Sequence, residues 1–209
     1  MSTASEPDQP EAVRYERLWE GEFGDAYVER NRVLDPRRTT FWHRLLAAHP
    51  IHSVLEIGCG QGGNLVPIAE APNAPAVWGV DVNATTLSRV RENVPGVNAV
   101  HSVARELPFR DRWFDLVFTM GVLIHQPEST LPLVMSEIVR CSRRFVLWGE
   151  YYAEQPTEVP YRGQRGALLK RDYGRIYHDL FPELVVRDEG YLAPEDGFDR
   201  TTWQLLERP

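Results

Sequence analysis

The sequence predicts an α/β fold in which a mostly parallel sheet carries helices on both faces. Three observations predict it. Short apolar segments alternate with helical patterns from Ser53 to Glu150; a glycine-rich turn joins the first of those segments to a helix; and the last two apolar segments, Leu184–Leu192 and Arg200–Glu207, follow one another with no helix between them. Strands separated by helices pair in parallel, with the helices packed on the sheet faces. Strands that follow each other directly pair antiparallel, here at one edge of the sheet.

The elements follow in order. Residues 1–12, MSTASEPDQPEA, are polar and acidic and read as a disordered lead-in, without the basic and apolar regions of a signal peptide. From Glu11 to Arg32, Tyr15, Leu18, Trp19, Phe23 and Tyr27 recur at helical spacing. Gly21 and Gly24 interrupt that pattern and predict two short helices around a turn. Thr39–His49 is a stronger helix, with Thr39 or Thr40 as its cap and Pro50 as its stop. Strand Ser53–Ile57 then runs into the glycine turn and a helix over about Asn64–Glu70. Strand Ala76–Val80 ends at Asp81 and precedes helix Thr85–Asn93. Strand Val97–Val103 leads to the turn Leu107-Pro108-Phe109. Strand Phe114–Thr119, a helix centred on Leu131–Val139 and strand Arg144–Glu150 complete the alternation. A long loop and a helix near Leu168–Leu180 lead to the final pair. Residues 13–209 read as one domain, with 13–50 as a helical cap and 155–172 as a candidate substrate loop.

Composition narrows the function classes. Of 209 residues, 43% are hydrophobic and 25% charged, which suits a chain able to bury a core. No apolar run approaches the roughly 18 residues that span a bilayer, so no membrane partner is expected. The net charge of −7 argues against general nucleic-acid affinity, which rests on phosphate neutralisation. Two cysteines, Cys59 and Cys141, form no CxxC or Cys/His cluster. That pattern predicts neither disulfide framework nor metal site and suits a reducing cytoplasm. The oligomeric state has no signal in the sequence.

The segment VLEIGCGQGGN, Val54–Asn64, carries the chemistry. Gly58, Gly60 and Gly63 satisfy G-x-G-x-x-G between a strand and a helix, where a tight turn needs positive φ and close backbone approach. Asp81 follows about 20 residues later at a strand end, where a carboxylate can accept both hydroxyls of a ribose. Taken alone, loop and acid fit an NAD-dependent oxidoreductase equally well, and a glycine-rich turn without a ligand is the blander possibility. Glu56 separates the cofactors. A carboxylate two positions before Gly58 suits the ammonium group of a methionine moiety, whereas it would repel a pyrophosphate.

These residues resemble class I methyltransferases that use S-adenosylmethionine. VLEIGCGQG matches the first motif of that family, VWGVDVN with Asp81 the second, and FDLVFTMGVLIH, Phe114–His125, the fourth. The flanks WEGEFGDAYVERN, GVLIHQ and EYYAEQPTEVPYRGQRGALLKRDYG are similar to the pseudaminic-acid-biosynthesis-associated methylases. The resemblance implies a Rossmann-like fold with a mostly parallel seven-stranded sheet and an antiparallel edge strand, here TWQLLE near the C-terminus. It implies S-adenosylmethionine as cofactor, with Glu56, Gly58, Cys59, Gly60, Gly62, Asn64, Asp81 and Val82 around it. Where many members carry an Asp-Ala pair before the Leu-Pro-Phe turn, this chain has Val103-Ala104. Adenine recognition then falls to backbone groups around Ser102, Val103 and Ala104 and to apolar packing.

Ligands of this fold lie across the carboxyl ends of the central strands. The loop from Thr119 through Met120 and Gly121 to His125 is therefore expected to touch both cofactor and substrate. His125 can deprotonate a hydroxyl or amine, or can simply cap a helix or pack beneath the cofactor. Glu150 is a second candidate base or substrate contact, with Tyr151 and Tyr152 as substrate walls or as ordinary core. The long loop carries Glu158, Tyr161, Arg162 and Arg165, with Lys170 nearby; this is either a cationic substrate pocket or a solvated basic face. Tyr27 and Arg30 are candidate cofactor contacts from the cap, while Trp19 and Phe23 read as packing. The resulting expectation is a methyltransferase for a small, anionic or sugar-like biosynthetic intermediate, with direct transfer to oxygen or nitrogen and no metal. A non-catalytic cofactor-binding regulator is the remaining alternative.

Overall fold

A computed structural model describes residues 11–31 and 34–209. The chain forms α1 (Glu11–Glu20), α2 (Glu22–Arg30), α3 (Arg38–Ala48), β1 (Ser53–Ile57), α4 (Leu65–Ala69), β2 (Ala76–Asp81), α5 (Ala84–Asn93), β3 (Asn98–His101) and β4 (Phe114–Met120). A 3-10 turn (Leu123–His125) leads to α6 (Leu131–Cys141), β5 (Ser142–Glu150), β6 (Thr157–Glu158), β7 (Leu169–Lys170) and α7 (Tyr173–Leu180). Strand β8 (Val185–Leu192), a second 3-10 turn (Pro194–Asp196) and β9 (Thr201–Glu207) finish the fold. The lead-in expected over residues 1–12 lies outside the described residues as far as residue 10, and α1 already begins at Glu11.

Seven strands make one sheet in the order β3-β2-β1-β4-β5-β9-β8. Pairing is parallel from β3 to β5, and β9 runs antiparallel to both its neighbours. The expected Rossmann-like architecture is therefore the one observed. Its last strand fills the slot beside β5, and β8 forms the rim.

Two corrections concern the second half. The helix expected near Leu168–Leu180 starts only at Tyr173, because the Asp172 side chain accepts the Arg175 amide at 2.9 Å and caps it there. Leu169–Lys170 instead pairs with Thr157–Glu158 in a two-stranded ribbon. In the cap, Gly21 ends α1 as expected, but α2 continues through Gly24.

The core explains why the strands read as continuous apolar runs. Along β1 and β4, Val54, Leu116 and Phe118 face one layer with α3, α4 and α5, while Leu55, Ile57 and Val117 face the other with α6 and α7. That alternation is the two-residue period of a strand covered on both sides. Trp42 on α3 and Tyr173 and Tyr177 on α7 are fully buried in these layers.

Asp115 locks the amino end of the sheet. Its Oδ2 accepts the amides of His52 (2.9 Å) and Ser53 (3.1 Å) and the Ser53 hydroxyl, and Oδ1 meets the Arg143 guanidinium. Burial alone would raise this carboxyl, but the His52 amide and Arg143 outweigh it and hold it below the usual value. Asp115→Ala is expected to lower the unfolding free energy by about 3 kcal/mol, since two half-buried amides lose their acceptor; urea melts measure it. Because the folded carboxyl titrates below its unfolded value of about 3.9, its contribution is complete above that pH. It is lost as pH falls through the folded value, so wild type and variant should converge in acid.

Candidate active site

A cleft opens where the carboxyl ends of β1, β2, β3 and β4 meet the underside of α1 and α2. It holds about 1030 Å³ of empty space continuous with solvent. Gly58 and Gly60 line it after β1, Asp81, Val82 and Asn83 after β2, Ser102, Val103 and Ala104 after β3, and Met120, Gly121 and Val122 after β4. Tyr15, Glu16, Trp19, Gly24 and Tyr27 cover it, and His125, Gln126 and Thr130 close one end.

The floor is the glycine turn. Gly58 has φ of 68°, and a Cβ there would lie 2.5 Å from the Val122 side chain, so the turn is packed directly on the loop after β4. Asp81 meets this turn from β2. Its Oδ2 accepts the Gly60 amide at 3.1 Å and its Oδ1 the Asn83 amide at 2.9 Å. Each oxygen keeps a lone pair for a further donor, as two ribose hydroxyls require. Burial pushes its carboxyl up, against three backbone amides that pull it down.

Glu56 lies beneath the turn and does not line the cleft. Its Oε1 accepts Asn64 Nδ2 at 2.6 Å, and its Oε2 is buried without a partner. Burial drives the carboxyl to about 8. Asn64 in turn accepts Arg38 at 3.1 Å and Trp42 at 3.3 Å. Cys59 points into the core against Gly79, where burial holds the thiol far above its ordinary range and unreactive.

The cover is latched by side chains from the body. Asn83 Oδ1 accepts the Thr86 amide (2.8 Å) and caps α5, while Nδ2 donates to Trp19 O (3.1 Å), Glu20 O (3.2 Å) and Asp25 Oδ1 (3.0 Å). Gln61 Nε2 donates to the carbonyls of Val28 (2.8 Å) and Asn31 (2.9 Å). Arg105 holds both oxygens of Glu16 at 2.7 and 3.2 Å. A Cβ on Gly24 would fall 1.8 Å from the Trp19 carbonyl oxygen, so glycine is what lets α2 lie against the end of α1.

At the closed end, the rings of Trp19 and His125 sit 4.6 Å apart, with Tyr27 5.5 Å from Trp19 and Tyr161 5.5 Å from His125. His125 Nδ1–H donates to the Ala167 carbonyl, which leaves Nε2 as the lone-pair nitrogen. Burial lowers this imidazole to about 4, so the ring is neutral at neutral pH.

Several expected residues stand elsewhere. Glu150 is fully buried and reaches under the cleft, where its carboxylate accepts the amides of Val122, Leu123 and Ile124 and is not presented to a substrate. Thr119 is buried in β4, Gly62 packs against Val90 and Val94, and Arg30 is exposed at the end of α2. Glu158 is exposed and accepts the Gly166 amide at 2.6 Å, and Arg162 and Arg165 are exposed. Lys170 lies 5.7 Å over the Tyr151 ring and Tyr152 is half in solvent. None of these, nor Tyr161, lines the cleft. The sequence reading missed Tyr15, Glu16, Asn83 and Gln126 and took Trp19 for packing. Asn83 alone had a visible signal, as an N-cap type two residues past the ribose acid. Among the described residues, no group of three His, Cys, Asp or Glu side chains can hold a metal ion, and no helix is long and apolar enough to cross a membrane.

Comparison with known proteins gives the family. Residues 54–144 match the model described as a methyltransferase domain. An uncharacterized methyltransferase of Synechocystis sp. is 31% identical over 188 residues, covering 87% of this chain and 86% of that one. The chain belongs to the class I S-adenosylmethionine-dependent methyltransferases. A 24-methylenesterol C-methyltransferase of Oryza sativa is 29% identical over 84% of this chain, which spans 48% of that longer protein. Among solved structures, 1,6-didemethyltoxoflavin-N1-methyltransferase of Burkholderia thailandensis superposes with a TM-score of 0.73 at 16% identity, covering 98% and 93% of the two chains. Magnesium protoporphyrin IX methyltransferase of Synechocystis gives 0.71 at 14%, covering 98% and 100%. At these identities the superpositions establish the shared fold.

The methyltransferase's cofactor is thus S-adenosylmethionine, and the residues present fit it. Asp81 lines the cleft with acceptor capacity to spare for ribose hydroxyls, and Gly60 leaves open space above its Cα for a ligand's close approach. Asp81→Ala is expected to weaken S-adenosylhomocysteine binding by about 100-fold or more, the loss of two hydrogen bonds to a charged group; isothermal titration calorimetry reads this directly. Gly24→Ala is expected to weaken it as well, by parting α2 from α1, while leaving the urea midpoint of the sheet core nearly unchanged.

Proposed function

We propose that this methyltransferase acts on a small biosynthetic intermediate of anionic or sugar-like character and transfers the methyl group to oxygen or nitrogen. The observation that carries the reading is the enclosure. The covered cleft ends at Trp19, Tyr27 and His125, beside Gly121 and Val122, and such a closed aromatic end admits a small molecule more readily than a macromolecular strand. The anionic or sugar-like part is supported by the resemblance of residues 150–174 to the pseudaminic-acid-associated methylases and by the position of the hairpin at Tyr161. That ring packs on His125 and lies 6.0 Å from the Arg162 guanidinium, with Arg165 in the same turn, so two exposed cations stand near the His125 end of the cleft, a placement suited to attracting an oxygenated anion.

When bound, S-adenosylmethionine supplies an electrophilic methyl group on a sulfonium. The protein's residues hold and orient. With the cofactor bound, Asp81 would hold the ribose, the Ser102–Ala104 backbone would receive the adenine, and Trp19 and Tyr27 would exclude water from the reacting end. His125 acts by accepting a hydrogen bond at Nε2 from the nucleophilic hydroxyl or amine. An imidazole pushed to about 4 is a poor proton acceptor at neutral pH, so its contribution is alignment.

The test supplies purified protein and S-adenosylmethionine with three acceptor classes: nine-carbon sugar acids, neutral hexoses and apolar phenols. S-adenosylhomocysteine formation is followed by mass spectrometry. Turnover with a sugar acid or sugar is the expected result, and turnover confined to the phenols overturns the substrate class. With a working acceptor, His125→Ala should lower kcat by about tenfold, the scale of lost alignment. A loss beyond about 100-fold would mark proton transfer instead.

A further inference from the structure

We propose that Glu150 is a positioning residue for methyl transfer: its buried carboxylate fixes the loop after β4 that forms the reacting end of the cleft, and its ionisation switches that loop between an ordered and a loosened state. The geometry is specific. Glu150 ends β5, next to Gly149, which pairs with Met120 at the end of β4. From there Oε1 accepts the amides of Val122 and Leu123, both at 3.1 Å, and Oε2 accepts that of Ile124 at 3.2 Å. Three successive amides converge on one side chain. These are the amides that the 3-10 turn Leu123–His125 cannot satisfy internally, because the first N–H groups of any helical turn have no carbonyl behind them.

The loop so held is part of the site. Gly121, Val122 and His125 line the cleft, and Val122 packs against Gly58 of the cofactor turn. Displacing the three amides would therefore move both the acceptor end and the floor under the cofactor. A carboxylate offers acceptors only; in a carboxylic acid one oxygen becomes a donor and a much weaker acceptor for the amide it faces. Protonation of Glu150 weakens at least one of the three bonds and removes the charge that strengthens the rest.

The surroundings set the pH at which this happens. Burial is the largest influence and raises the carboxyl to about 7, partly opposed by the three amides. The groups facing it are Thr119 from β4, Tyr151 just after β5, and Tyr173 and Tyr177 from α7; all three tyrosines are held above their ordinary value by burial and stay neutral. Arg171, before α7, acts on Tyr173 and donates to the Gln126 carbonyl at 3.1 Å. His125 on the same turn is pushed down to about 4 and does not titrate in this range. The sign follows: the loop is ordered above about 7 and loosens as pH falls through it.

The experiment uses the full chain, labelled with ¹⁵N and with ¹³C at glutamate carboxyls, saturated with S-adenosylhomocysteine and titrated between pH 5.5 and 8.5. The Val122, Leu123 and Ile124 amide signals are expected to shift together with the Glu150 carboxyl, with one midpoint. In Glu150→Gln the shared transition should vanish. S-adenosylhomocysteine affinity of that variant should be about tenfold weaker than wild type at pH 8, since charged hydrogen bonds are lost, and the two should converge below pH 6. Amides that titrate unchanged in the variant, or an unchanged affinity at pH 8, overturn the proposal. If the variant does not fold, the wild-type spectra decide: amides that do not follow the Glu150 carboxyl refute it.

Discussion

The Asp81 carboxylate, held between the amides of Gly60 and Asn83, is the joint on which the active end of this molecule depends. It fastens the end of β2 to the glycine turn after β1, so two strands meet the ligand as one rigid edge. The next residue but one, Asn83, uses its side chain to cap α5 and to grip the ends of α1 and the start of α2. Three residues thus connect sheet, turn, helix and cover. A carboxylate here is costly to bury, and the backbone amides around it are what make it tolerable.

The same economy of backbone donors recurs at both edges of the sheet. Asp115 gathers the amides at the entry to β1, Asp81 those at the glycine turn, and Glu150 those after β4. A parallel sheet forces every strand to end in a turn on the same side, and each such turn leaves amides without partners. Asp115, at the start of β4, supplies acceptors at the amino edge; at the carboxyl edge Asp81 at the end of β2 and Glu150 at the end of β5 do so. The acids along this edge therefore have two different employments. Asp81 retains spare capacity and faces the cleft; Glu150 gives both oxygens to the protein and faces none of it.

That difference marks the limit of what the sequence disclosed. The alternation of strands and helices, the glycine turn and Asp81 were legible because they follow from local pattern: apolar runs of strand length, glycines where φ turns positive, an acid at a strand end. Val103 and Ala104, expected beside the cofactor from the family resemblance, line the cleft. Glu150 carried the right residue type at the right strand end, yet its direction depends on three amides 26 to 28 positions away in the chain. Trp19 and Glu16 were hidden for a related reason: their roles arise only when α1 and α2 fold back over the sheet, through Asn83 and Arg105. Neither spacing nor periodicity encodes such a contact.

The basic hairpin at Tyr161 shows the opposite case, where a charge cluster was legible but its place was not. Arg162 and Arg165 stand outside the cleft, and what links them to it is an aromatic path from Tyr161 to His125 to Trp19. The imidazole in the middle of that path is neutral at neutral pH, so what it passes on is packing. The exposed guanidiniums of Arg162 and Arg165 therefore lie outside the lining of the cleft, and its aromatic end is built from packed rings around an uncharged imidazole.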